Sequence, residues 1–376
     1  MQRGARRRVV AAVPCGTNVL SKRSHEPPQP RPRPPTIVDV AAAAGVSIAT
    51  VSRALGGQSR VAPALAERVR AAASRLGYVP DRRGRALVQR RSNSIGAVVP
   101  TIDNPIFARA LAALQVRLDA DGYRLLLAST EYAEPRELAA VQALVEHGVD
   151  GIVLVGARHH AGVLPLIAAR GIPVVCTWTY DPGGTIATVG FDNHDAMRRL
   201  VAHLTDLGHR RLAMIAGIAA GNDRAAARSE GFRAALAARG LAPVAVLERP
   251  YTIADGRAAT RTLLAAARTP TALVCGNDIL AFGALAEARE MGVAVPAELS
   301  VTGFDDVDLA SHVVPPLTTM RVPSAAMGRL AAEHLLARLR GRDTPQALAL
   351  DAELIVRGST APPPHRRSRR HGAVAS

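Results

Sequence analysis

From Thr36 onward, apolar positions recur at helical spacing between short polar stops. Thr36 with Asp39 three residues later is a capping-box start, and Gly45 is the turn residue that ends the helix between them; Val38, Val40 and Ala41 give that helix an apolar side. Ser47 caps a second helix, in which Val51 and Leu55 repeat at i, i+4 and pack back on the first. Pro63 suits the first position of a third helix, where Leu65, Val69, Ala72 and Leu76 share a side and Gly77 is the stop. Residues 36–80 therefore read as a small all-α head. At Ser94 the period changes. The runs Ile95–Pro100, Tyr123–Ala128, Gly151–Val155, Ile172–Cys176, Leu212–Ala216, Thr271–Cys275 and Leu299–Phe304 are short and apolar, and they alternate with Ala/Leu/Arg-rich helical stretches. Such runs are expected as buried strands of parallel sheets. Gly208, Gly240 and Gly292 fall where intervening helices should stop. So many strand–helix units predict an α/β body over residues 94–360 with more than one sheet, and no short-period repeat marks a solenoid.

The second helix carries the first candidate chemistry. Its outer face shows Ile48, Ala49, Ser52 and Arg53, small or donor-bearing side chains suited to base edges and phosphates. The plainer alternative is an ordinary helical hairpin. The run Thr-Ile-Val-Asp-Val-Ala-Ala-Ala-Ala-Gly-Val-Ser-Ile-Ala-Thr-Val-Ser-Arg-Ala-Leu at 36–55 resembles the helix-turn-helix of the lac repressor (LacI/GalR) family of bacterial transcription regulators, and the likeness extends to about Ser359.

Charge placement agrees with a DNA-binding head. The chain of 376 residues has a formal net charge of +16. Residues 1–35 and 36–91 contribute +7 each and the tail 361–376 adds +4, which leaves the span 92–360 at −2. A near-neutral body behind a basic head fits a chain that lays only the head on phosphates. Residues 1–35, with a Pro/Arg run at Pro27–Pro35, are expected to be a disordered extension, either a basic arm on DNA or a segment ahead of a start further downstream. The tail is likewise expected to be disordered. Cys15, Cys176 and Cys275 have no ligand spacing, so neither a zinc site nor a disulfide framework is expected. No apolar run approaches the length of a membrane span, and the expected setting is cytoplasmic, on the nucleoid.

The resemblance implies roles residue by residue. Ile48, Ala49 and Arg53 take the family's base-contacting positions, with Arg53 either bonding a guanine bidentately or holding a phosphate; Thr50 and Ser52 go to phosphates. Residues 81–93 match the family's hinge helix. Leu87 takes the minor-groove wedge position, and Arg82, Arg83 and Arg85 sit beside flanking phosphates. Gly56, Leu65 and Ala66 depart from the family pattern, each at the expected cost of a phosphate contact, and Gly84 weakens the hinge helix. The body is implied to be two similar lobes like those of periplasmic sugar-binding proteins. The first covers 94–190 and returns at 322–342; the second covers 191–320 and closes near 354–356. A small molecule, a carbohydrate before a nucleobase or nucleoside, would lie between them.

For that site the resemblance offers Ile102, Asn104 and Phe107 in Ile-Asp-Asn-Pro-Ile-Phe, Arg228 in Arg-Ser-Glu-Gly-Phe, Tyr251, Asn277 with Asp278, and Asp305 in Gly-Phe-Asp-Asp. Asn277, Asp278 and Asp305 follow strand ends, where open α/β sheets bind ligands and where capping residues also fall. Trp178 stands where many relatives have an aspartate and is either a stacking face for the ligand or lobe packing. His159-His160 reads as a solvated loop pair. No dinucleotide fingerprint, P-loop, nucleophile elbow or metal-spaced His/Cys cluster is present, so no cofactor and no enzyme are expected. A transporter's solute-binding protein shares the body but has no use for the head. The partners implied are a near-palindromic double-stranded operator, the small-molecule effector and a second copy of the chain.

Overall fold

A computed structural model describes residues 33–56, 61–79 and 91–364. It divides into two compact units, one on each side of Arg82/Arg83.

The N-terminal unit contains α1 (Ile37–Ala44), α2 (Ile48–Leu55) and α3 (Pro63–Leu76). Both Thr36 N–H and Thr36 Oγ1 donate to Asp39 Oδ2 at 2.7 Å, and Gly45 ends α1 at φ +62. Ser47 Oγ accepts the Thr50 N–H at 3.2 Å, and α2 leaves α1 at 100°. Val40, Ala41, Ala44, Val51, Ala54, Ala66, Val69, Ala72 and Ala73 form the core of this unit. Two expectations fail at its edge: Val38 is 53% exposed and Leu76 37% exposed. The helices are short, and a core built of Val and Ala closes before it reaches them. Ala66 lies in the core.

The body begins earlier and ends later than its periodicity suggests. Ser92 N and Asn93 N donate to the two oxygens of Asp150, and Arg91 Nη2 donates to Leu339 O, so Arg91–Asn93 belong to the body rather than to the linker. Ala361 N donates to Ser300 Oγ, and the carbonyl of Ala361 accepts from the buried His209 ring; these two contacts place the start of the expected disordered tail on the body.

The first lobe has a six-stranded parallel sheet in the order β11-β5-β4-β3-β1-β2. Its strands are β1 (Ser94–Val99), β2 (Arg124–Ser129), β3 (Gly151–Val155), β4 (Val174–Thr177), β5 (Ala187–Gly190) and β11 (Ala347–Ala349). Side chains alternate between two cores. Ile95, Ala97 and Val99 face α4 (Pro105–Asp119) and α11 (Ser324–Leu339), whereas Val98 faces α5 (Glu134–Glu146) and α6 (Val163–Ala169). Strand β2 is only half-buried, being an edge. The second lobe has the parallel order β7-β6-β8-β9. Its strands β6 (Leu212–Gly217), β7 (Val246–Arg249), β8 (Ala272–Cys275) and β9 (Ser300–Thr302) lie between α7 (Asn193–Asp206) with α8 (Asp223–Ala237) and α9 (Ile253–Ala265) with α10 (Asp278–Glu290). The antiparallel pair β10 (Thr319–Arg321) and β12 (Glu353–Ile355) completes the fold.

The chain crosses between the lobes after β5, after β10 and after β11. The return to the first lobe therefore runs to Ala349, past the expected end at 342, because β11 adds a sixth strand beside β5. Gly328 sets how closely α11 approaches α4: a Cβ there would lie 2.0 Å from the Ala110 carbonyl oxygen.

Candidate functional site

The outer face of α2 is one candidate site. Ile48, Ala49, Ser52 and Arg53 are exposed, with Ile48 at 48%, while Val51 and Ala54 on the opposite side are buried. Ile48 is thus an apolar side chain exposed on the same face as Arg53. Arg53 Nε donates to the Ala49 carbonyl at 3.2 Å, a local bond that a guanine or phosphate can replace. The Thr50 hydroxyl pairs with Ser47 Oγ at 2.9 Å, so in this structure it serves the cap. Arg82, Arg83, Arg85 and Leu87 lie outside the described residues.

The second candidate is the cleft between the lobes. Three asparagines build its polar frame in the same way. Asn104, Asn222 and Asn277 follow β1, β6 and β8 and cap α4, α8 and α10, each through its Oδ1. All three are buried, and a cap uses only the carbonyl half of the amide. The other half is left for the cleft: Asn104 lies beside Asp305, Asn222 beside Tyr251, and Asn277 Nδ2 is buried with no partner among the described residues.

Arg228, reaching in from α8, is buried. Its Nε donates to Asn193 Oδ1 at 2.9 Å, Nη1 donates to Gly276 O at 2.8 Å, and Nη2 lies 3.9 Å from Asp305 Oδ1. The guanidinium carbon stands 3.8 Å over the Phe304 ring. Burial pushes the Asp305 carboxyl up to about 6, against the opposing pull of Arg228, the Asn104 hydrogen bond and Arg224. The backbone of Asp305, at φ +119, is held by Asp305 N donating to Met320 O at 2.8 Å.

Aromatic rings close the cleft. Phe107 and Trp178 meet at 4.9 Å between centroids with a 56° tilt, and Tyr132 and Tyr251 meet at 5.8 Å. Trp178 thus packs on Phe107 and lines the cleft at once, and its carbonyl accepts from Asn193 Nδ2 at 2.8 Å. The lobes are also tied by the start of α8. Ala157 N donates to Asp223 Oδ2 at 2.9 Å and Arg224 Nη1 donates to Val155 O at 3.2 Å. Gly156 sits between them at φ +89, where a Cβ would come within 2.1 Å of Arg224 Nη1. The side chains leave only about 20 Å³ between them, room for about one water, so a ligand of sugar size needs the lobes to part.

Of the expected residues, Asn104, Phe107, Trp178, Arg228, Tyr251, Asn277 and Asp305 converge on this cleft. Ile102 does not: it is 57% exposed on the turn before Asn104. Asp278 is fully buried and is not a cleft residue; Asn277 is the cap, while Asp278 accepts Val307 N at 2.9 Å and the Thr319 hydroxyl at 2.6 Å. Burial and the nearby Asp305 charge raise its carboxyl well above the ordinary range. Ile106, Tyr132, Asn222 and Arg224 also line the cleft and were not anticipated. Asn222 had a usable signal, since it precedes a helix just beyond β6 as Asn277 does beyond β8. The solvated reading of His159 is overturned. Its side chain is 1% exposed, with Nδ1 2.7 Å from Glu137 Oε1 and Nε2 3.4 Å from Cys176 Sγ. No cluster of three or more metal-ligating side chains occurs among the described residues, and no single helix there is long and apolar enough to cross a membrane.

A helix-turn-helix unit followed by a two-lobed α/β body with a polar cleft defines a ligand-responsive DNA-binding regulator. The chain matches the model of bacterial regulatory proteins of the lacI family over residues 36–81, and that of the periplasmic binding protein-like domain over residues 201–360. It is 37% identical over 330 residues to the HTH-type transcriptional regulator GntR of Pseudomonas aeruginosa, covering 87% of this chain and 96% of that protein. The lac repressor dimer bound to operator and the anti-inducer ONPF superposes with a TM-score of 0.79 at 28% identity, over 88% of this chain and 100% of that one. The transcriptional regulator CelR–cellobiose complex gives 0.64 at 31% identity, over 86% and 99%. The chain belongs to the LacI family of transcriptional regulators, whose members are not enzymes.

Proposed function

We propose that this regulator is a homodimeric repressor that reads a near-palindromic operator, one head per half-site, and is controlled by a carbohydrate bound between its lobes. Arg53, Ile48 and Ala49 are the base readers, with Ser52 on a phosphate. Residues 81–90, with Leu87 as wedge and Arg82, Arg83 and Arg85 beside it, carry the state of the lobes to the DNA. The chain then works in the cytoplasm, on the nucleoid.

The observation that carries the ligand reading is the unpartnered Nδ2 of buried Asn277, beside Arg228 and Asp305 and among four aromatic rings. A sugar presents hydroxyls to the polar groups and its C–H face to the rings. Among the solved relatives, the lac repressor dimer is bound to the anti-inducer ONPF and the regulator CelR to cellobiose. Coupling follows if the ligand favours one lobe angle over the other, since only differential affinity links two sites.

The test is selection of random duplex DNA by the full chain at moderate salt, then titration of the recovered site with sugars and nucleosides. A palindrome of fixed half-site spacing that a sugar releases is the expected result. Sequence-neutral binding would remove the operator reading. Release by a nucleoside alone would replace the carbohydrate.

A further inference from the structure

Because the strands of the first lobe are parallel, their carboxyl ends all lie on the cleft side, where Asn104 follows β1 and Trp178 follows β4. At the opposite end of the same sheet, the segments leading into β4, β5 and β11 meet the last turns of α6 and α11 around a space of about 330 Å³. The cleft holds about 20 Å³, so of the two only this pocket reaches the size of an ordinary ligand site, which starts at about 300 Å³. It also borders the point where the linker enters the body: Arg338 lines the pocket, and the next residue, Leu339, accepts from Arg91 Nη2 at 2.7 Å.

The floor of the pocket is apolar. Ile167 on α6 is buried, whereas Leu164, Ile172, Val174 and Ile186 are half-buried and keep apolar surface in contact with water. The polar groups gather on the α11 side. His334 is buried, with its Nε2 3.2 Å from Thr344 Oγ1. Burial and the Arg338 charge hold the imidazole below its ordinary pKa, so the ring is neutral at pH 7. Arg338, one turn further on, is exposed and makes no ion pair among the described residues. In the last turn of α11 its charge offsets the helix dipole, a role that leaves its N–H donors free. No carboxylate lines the pocket. Of those near it in the chain, Glu333 is paired with Arg329, Asp181 accepts the Gly183 N–H, and exposed Asp343 stands outside the lining directly after Arg342. One unpaired guanidinium over an apolar floor, with a hydroxyl beside it, matches a planar monoanion that carries an apolar body.

We infer that this pocket is a second small-molecule site, separate from the cleft, that takes an apolar monocarboxylate with its carboxylate on Arg338 and its body against Ile167, Ile172 and Ile186. The inference is independent of what occupies the cleft. Isothermal titration of the full chain tests it with phenylacetate and hexanoate, each beside the matching alcohol, phenylethanol and hexanol. The expected result is an acid at least tenfold tighter than its alcohol. Arg338→Gln should erase that margin, and Ala168→Trp, which fills the pocket, should abolish binding of acid and alcohol alike. Both substitutions are at exposed positions, and both variants should melt as the wild type does. Equal affinity for acid and alcohol overturns the carboxylate assignment. Binding that survives both variants lies elsewhere, the Arg228 cleft included, and overturns the site, as does a failure of all four probes to bind.

Discussion

The face of α2 and the cleft are both sites made of polar and apolar side chains, yet they are built on opposite principles. On α2 the candidate residues come from six consecutive positions, stand in water and bond only their own helix turn. In the cleft they come from points between Asn104 and Asp305, are mostly buried, and are held through Arg228, which donates to Asn193 and Gly276 and stands beside Asp305. The first can be changed without touching a fold. The second cannot, because its recognition groups are also the interior of the body.

Substitutions should separate the two. The largest effect is expected from Arg228→Ala, which strands buried Asp305 and frees Asn193 and the Gly276 carbonyl; breaking such a buried pair costs about 3–5 kcal/mol. Urea melts should show that loss in the body, and effector response should vanish while cold DNA binding survives. An Arg228→Ala protein as stable as the wild type would mean that cleft and core are separable after all.

Next comes pH. The folded-state value of Asp305, raised to about 6 from an ordinary 3.8, means the folded chain binds that proton more tightly than the unfolded chain. Stability from this group is therefore fully present below pH 3.8 and is lost as pH rises through about 6. The stability of Asp305→Asn relative to wild type should grow across that window, by on the order of 2–3 kcal/mol, and level off above it. A difference that stays flat from pH 4 to 7 would remove the burial argument.

On the head, Arg53→Ala should leave melting of the chain unchanged and cost about 1–3 kcal/mol of discrimination at one base pair of each half-site. Uniform weakening on all sequences would reassign Arg53 to a phosphate. The smallest effect is expected from Ser47→Ala, which removes the cap on Thr50 N and should cost about 1 kcal/mol of head stability, read by amide exchange in α2.

The same contrast explains what could be read in advance. The head's helices and their caps, and the seven apolar strand runs, were legible because each is a local pattern of period and punctuation. The short strands β5, β7 and β11 were not: at three or four residues they carry no alternation long enough to notice, and they are strands only because a neighbour pairs with them. Seven of the nine residues offered for the cleft do converge; Asp278 is drawn into the interior, where it accepts from Val307 N and the Thr319 hydroxyl. Ile102 fails because the turn after β1 points it outward, a direction that a motif match does not encode. Tyr132 and Arg224 were missed because they enter the cleft only through a left-handed turn and the closure of one lobe on the other, whereas Asn222 carried the same capping signal as Asn277.

By itself, then, the sequence determined the two kinds of unit, their order and the exposed reading face, since caps, periodicity and charge act over a few residues. The tertiary structure decided which buried groups share the cleft, that Asn277 is left with a free amide donor there, and that a second pocket opens at the amino ends of β4, β5 and β11. Those facts depend on burial and on contacts between residues scores of positions apart, where desolvation and close approach set the outcome.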